Sequence, residues 1–207
     1  MRSAKVGCCV AVISVLSLAA CAPQESGPTE VIVVPLFAKG GNGDMNMNTH
    51  LGGDEEVLTV AEGAPHPSDS RAQGQAIFRV AEDGTVSVRL IASNIDNVVQ
   101  AHIHCGRPGE NGPVRIWLFP TIGTSGAALT GPTGPQDGVL AEGTFNPTGV
   151  ICPAANVGTN MPVLDAMRAG LAYVNVHTND GVNPGNTGPG DFPGGEIRGQ
   201  LGDKNNP

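Results

Sequence analysis

The sequence predicts an all-β fold: an antiparallel β-sandwich of immunoglobulin-like or Greek-key type with one short helix. Three observations predict it. Apolar and polar residues alternate over short runs, and Gly, Pro, Asn and Asp clusters bound those runs. The chain also contains 30 Gly and 17 Pro but only one Trp, one Tyr and five Phe, which suits many turns around a core of Val, Ile, Leu and Ala.

The elements follow in order. The first strand opens at His50. In "QAIFRVAEDGTVSVRLIAS", Ala76, Phe78 and Val80 alternate before Glu82-Asp83-Gly84, and Val86, Val88 and Leu90 alternate on the return. Asp-Gly supplies the positive torsions of a tight hairpin turn. Further strands are predicted at Val98 to His104, Val114 to Phe119, Gly138 to Thr144, Leu171 to His177 and Gly195 to Leu201. Residues 160–169 break the period of two: Val163, Leu164 and Met167 fall at helical spacing, Asn160 is the candidate cap and Gly170 the stop. Among the loops, Asp180, Asn183, Asn186 and Asp191 offer oxygen donors that suit calcium, without the EF-hand spacing, or serve as turn formers.

Ahead of this domain lies "MRSAKVGCCVAVISVLSLAAC", with Arg2 and Lys5 before an apolar run from Val6 to Ala20. That is the pattern of a secretory signal. Leu18-Ala19-Ala20-Cys21 matches the bacterial lipobox, so residues 1–20 are expected to be removed and Cys21 to carry lipid. The alternative is an ordinary signal peptide with Cys21 unmodified. Ala22 in place of Asp points to the outer membrane if the cell is Gram-negative. Residues 21–48 read as a tether in which Val31 to Phe37 can add an edge strand; residues 49–202 form the domain and 203–207 a tail. The chain is thus expected to be exported and lipid-anchored, with its domain in the periplasm or at the cell surface.

With Arg2 and Lys5 gone, 9 basic residues face 19 acidic ones, a formal charge of −10. This argues against nucleic acid as a partner, since phosphate affinity comes chiefly from Lys and Arg. Cys105 and Cys152 are the cysteines left besides Cys21, and an oxidising compartment favours a disulfide between them. Such a bridge would stabilise the fold by roughly 3 to 4 kcal/mol. The competing reading makes Cys105 a metal ligand.

The ordered set "AHIHCGRPGENGPVRIWLF", "RAGLAYVNVHT" and "GEIRGQL" resembles the CHRD family, with "HLGGDEEVLTV" and "GQAIFRV" similar to its first two strands. The resemblance implies an immunoglobulin-like sandwich and an extracellular setting more than any chemistry. On that footing the expected role is a lipid-anchored binding module contacting an envelope protein or polysaccharide.

The residues add a second reading. In a strand, His102 and His104 point to one face while Ala101 and Ile103 point to the other, with the two histidine α-carbons about 6.6 Å apart. His177 shares a face with Tyr173 and Asn175, so if its strand lies beside residues 98–104 three imidazoles converge. Such a set suits copper or zinc, for sequestration or for redox or hydrolytic chemistry at an open position. The alternative is a polar network in which the histidines bond backbone carbonyls and Thr178, Asn175 and Arg198. His50 and His66 are less favoured. Glu196, Arg198 and Gln200 share one face of the last strand, expected as an exposed charge ladder, with an acid–base pair as the sharper alternative. The sequence contains no nucleophile elbow, phosphate loop, metalloprotease helix motif or cofactor fingerprint, so an enzyme is the less favoured reading.

Overall fold

The computed structural model describes residues 45–202 apart from Thr59, Glu62, Ser125 and residues 127–132. The signal segment, Cys21, the Val31 to Phe37 strand, most of the tether and the 203–207 tail lie outside the described residues.

The fold is all-β. Ten strands run β1 (Met45–Gly52), β2 (Gln73–Val80), β3 (Val86–Asp96), β4 (Val98–Cys105), β5 (Val114–Phe119), β6 (Pro135–Phe145), β7 (Ile151–Cys152), β8 (Met161–Pro162), β9 (Ala172–Thr178) and β10 (Ile197–Gln200). Eight of them form one antiparallel sheet in the order β5-β4-β9-β10-β1-β2-β3-β6, and β7 pairs with β8 apart from it. The expected hairpin is β2–β3, in register from Val80 opposite Val86 to Gln73 opposite Ser93.

The sheet order forces a curl. Five strand spacings separate β3 from β4 along the sheet, about 24 Å if it were flat. Yet Asn97 alone links Asp96 to Val98, and one residue spans only about 7 Å. The sheet must therefore roll over on itself, so that the two layers of the expected sandwich are halves of one hydrogen-bonded ladder. Bulges in β3 near Leu90 and Ala92 permit the bend. Asn94 and Asn97, both at φ 53°, take left-handed torsions that Asn tolerates better than most residues. The Asn97 side chain then accepts the Gly134 amide at 3.0 Å, pinning the corner. At the other rim, Ile122 beyond β5 reaches Gly143 on β6, bringing the two edge strands together without a ladder between them.

Inside the curl sit Phe78, Val88, Leu90, Ala101, Ile103, Ile116, Val174, Val176 and Ile197, all fully buried. Cys105 lies among them and is bonded to Cys152, the pairing expected from the sequence, which removes it from the candidate ligands. The pairing ties β4 to the excursion between β6 and β9.

The helix in that excursion differs from expectation at its start. It spans Val163–Arg168 (α2) and begins after Pro162, with no side-chain cap. Met161 and Pro162 are instead drawn into pairing with Cys152 and Ile151. Asn160 accepts the Ala154 amide at 2.8 Å and so serves an earlier turn of helix, Ala154–Val157 (α1), that the sequence pattern did not reveal. Among the described residues no helix is long and apolar enough to cross a membrane.

Candidate metal centre

Strands β4 and β9 are antiparallel neighbours, the condition on which a three-histidine set depended. His102 lies opposite Asn175, His104 opposite Tyr173 and His177 opposite Gln100, so His177 is diagonal to His102. Diagonal neighbours on one face are within reach of long side chains. Each of the three rings brings a nitrogen to within 4.8 Å of the others, the one such group of three ligating residues among those described. Relative exposures are 2% for His102, 7% for His104 and 6% for His177.

The curl buries Ala101 and Ile103 on its inside, so this histidine face is the outer one, and loops roof it. One loop follows β4: the Gly112 carbonyl accepts from His104 Nδ1 at 2.9 Å. A side chain at position 112 would collide with the Cys105 carbonyl, so only glycine permits this approach. The other precedes β10: the Pro193 carbonyl accepts from His177 Nδ1 at 2.9 Å. With Nδ1–H committed to a carbonyl, each ring carries its lone pair on Nε2, the tautomer that metal-binding histidines adopt through the same kind of contact. His102 Nδ1 lies 3.3 Å from His177 Nε2. His102 Nε2 and His104 Nε2 are buried with no hydrogen-bond partner. Two orphaned nitrogens among three buried rings are costly in a purely structural network.

The spacing is close to that of an ion's ligands. Nitrogens at 2.0–2.1 Å from a tetrahedral or trigonal metal stand about 3.3 to 3.6 Å apart; His102 Nδ1 and His177 Nε2 stand 3.3 Å apart, and the three ligand atoms lie within 4.8 Å of one another, so the rings need only close in slightly. The rings are also kept neutral. Burial pulls His102 down to about 3, aided by His177 and His104. Burial brings His104 to about 4; the Gly112 carbonyl opposes the drop and Arg198 adds to it. His177 also falls to about 4 through burial and His104, against the Pro193 carbonyl. Neutral imidazole is the metal-binding form.

Aromatic rings hold the cluster. Trp117, opposite His102 on β5, meets its ring edge-on at 4.3 Å between centroids. Tyr173 stacks flat on His104 at 4.8 Å, and the Arg198 guanidinium lies 3.5 Å over the same tyrosine ring. Alternation had placed Tyr173 on the face of His177, whereas Trp117 stood in a predicted strand with nothing in the period of two to mark it as a neighbour of His102.

The expected exposed ladder on β10 is not one. Glu196 and Arg198 are 0% and 1% exposed and are not paired with each other. Glu196 takes the Ser70 hydroxyl at 2.5 Å, the Thr178 hydroxyl at 2.6 Å and the Gly190 amide at 2.9 Å. Thr178 Oγ1 in turn accepts the Phe192 amide, so this network sets the loop whose Pro193 carbonyl orients His177. Glu56, another buried carboxyl, is raised to about 8 by burial, against the attraction of Arg198 and hydrogen bonds from the Asn175 side chain, at 3.4 Å, and the Val57 amide. It follows the first strand and was not read as buried from sequence.

The remaining candidates lie elsewhere. His50 is exposed on β1, and His66 caps the turn Pro67–Asp69. In the β9–β10 loop, Asp180 accepts the Val182 amide and Asp191 accepts both the amide and the hydroxyl of Thr187, the bonds expected of turn formers. No acidic trio gathers among the described residues.

No curated protein and no solved structure matches this chain. The family model of the CHRD domain matches residues 47–201, well over half of the sequence and all of the curled sheet but its first two residues, and the chain belongs to the CHRD family.

Proposed function

We propose that this protein is an exported CHRD-domain module that binds one copper or zinc ion through His102, His104 and His177 and is held at a membrane by lipid on Cys21. The single observation behind the metal reading is the convergence of three buried imidazoles. In two of them a backbone carbonyl has already fixed the tautomer, and two nitrogens are left without a partner. A satisfied polar network would leave no such nitrogens. The shielded position favours holding an ion over turning over a bulky substrate.

Purified full-length protein incubated with copper or zinc and then dialysed is expected to retain about one ion per chain, and His104→Gln to retain far less. Trp117, the one tryptophan of the chain, reports the same event, because copper next to His102 is expected to quench its emission. Dialysed protein without stoichiometric metal, or a His104→Gln variant that keeps it, would remove this reading.

The anchor rests on Arg2, Lys5, the apolar run and the lipobox ending at Cys21. In a bacterial host, Cys21→Ser is expected to move the protein from the membrane fraction to the soluble exported fraction. A variant that still sediments with membranes contradicts it.

A further inference from the structure

We propose that the ion held by His102, His104 and His177 is monovalent copper, Cu(I), bound by those three rings alone. This rests on the three-histidine reading and adds the identity and charge of the ion.

Charge is the first argument. The donor set consists of three neutral imidazoles, with no carboxylate or thiolate in the group; the nearest cysteine in sequence, Cys105, is consumed by its disulfide and lies in the core. The cost of moving an ion out of water grows with the square of its charge, so a divalent ion costs about four times as much as a monovalent one of similar size in the same enclosure. Nothing fixed and negative in the ligand set offsets it. Arg198 adds positive charge beside the rings: Tyr173, on the strand between β4 and β10, is stacked on both His104 and the Arg198 guanidinium, while the Glu196 carboxyl next to Thr178 is taken up by Ser70, Thr178 and Gly190.

Coordination number is the second. Zinc in proteins almost always takes four ligands, and divalent copper favours a tetragonal set. A fourth ligand here would have to be water or an outside group. The rings are only 2 to 7% exposed, Trp117 closes on His102 and Tyr173 covers a face of His104. Cu(I), a closed-shell ion without a tetragonal preference, is content with two or three nitrogens and needs no water. The usual rise in affinity toward divalent copper along the first-row series presupposes a site that can adopt its geometry.

The test is competition on the full-length wild-type chain. Under anaerobic conditions Cu(I), supplied as its acetonitrile complex, is partitioned against a chromogenic cuprous chelator; Zn(II) and Cu(II) are partitioned separately against chelators of known affinity. One Cu(I) per chain is expected, with a dissociation constant about 1000-fold or more below that for Zn(II), and copper-loaded protein is expected to show no Cu(II) resonance signal. Zinc or divalent copper bound as tightly as Cu(I) overturns the cuprous assignment while leaving the histidine site standing. Failure of all three ions to bind removes the site itself.

Discussion

Truncating Arg198 to alanine is expected to destabilise the protein by about 3 to 5 kcal/mol, the range for removing a buried, fully engaged charged side chain. Arg198 sits mid-strand on β10 at 1% exposure. Its Nη2 donates to the Glu110 carbonyl at 2.9 Å, the Arg107 carbonyl at 3.3 Å and Gln200 at 3.4 Å, and its Nη1 to Asn111 at 3.3 Å. The guanidinium plane is also packed on Tyr173. Alanine would leave the Glu110 carbonyl without this donor, take one of two donors from the Arg107 carbonyl and open a cavity under the loop that carries Gly112, so His104 should lose its orientation along with the loop. Arg198→Lys keeps a charge but neither the planar stack nor the fork of donors, and is expected to recover less than half of the loss. Urea unfolding of the two variants decides it. An alanine variant within about 1 kcal/mol of the parent would show that the loop closes without this side chain.

That role for Arg198 was only partly legible in the sequence, and the reason is physical. Period-two alternation places Glu196, Arg198 and Gln200 on one face, and the same rule puts His102 with His104 and Tyr173 with His177; all of these held because strand geometry is local. Whether a polar face is wet depends on what lies over it. Here the cover consists of the loop from Gly106 to Pro113 and the one from Asn179 to Gly195, rich in Gly, Pro and Asn and without periodicity. Their contribution is backbone carbonyls at Gly112 and Pro193, which no side-chain pattern announces. The adjacency of β4 and β9 was likewise beyond local reading, since it follows from a sheet that rolls so tightly that Asn97 alone carries the chain from β3 to β4. The hairpin at Asp83-Gly84 and the Cys105–Cys152 bridge were readable because turn chemistry in the one case, and the small number of cysteines in the other, left few choices. The helix cap at Asn160 was misplaced because Pro162 sets where α2 can begin and the Met161–Pro162 pairing takes up the residues before it.

Acid is expected to unfold the metal-free protein well before ordinary carboxylate titration would. His102 falls from 6.5 to about 3, and His104 and His177 to about 4, chiefly because burial disfavours the charged ring. Between pH 6.5 and those values the unfolded chain binds protons that the folded chain refuses, so stability falls as pH falls through that window; above it both states carry neutral rings and these histidines contribute no slope. Glu56 acts in the opposite sense. Its carboxyl, raised to about 8 by burial, makes the folded state the better proton binder between the ordinary 4.5 and 8, so it gains stability as pH drops toward 4.5. One proton on Glu56 against three on the histidines leaves a net loss on the order of 3 kcal/mol from pH 6.5 to pH 5. Chelator-treated protein should therefore show a lower urea midpoint at pH 5 than at pH 7, and His177→Asn a smaller difference between the two. Bound metal should oppose the loss until protons compete it away, since the rings cannot hold both. A midpoint that does not move between the two pH values would mean that the three rings accept protons inside the fold, and a site open enough for that is not the enclosed neutral one on which metal binding here depends.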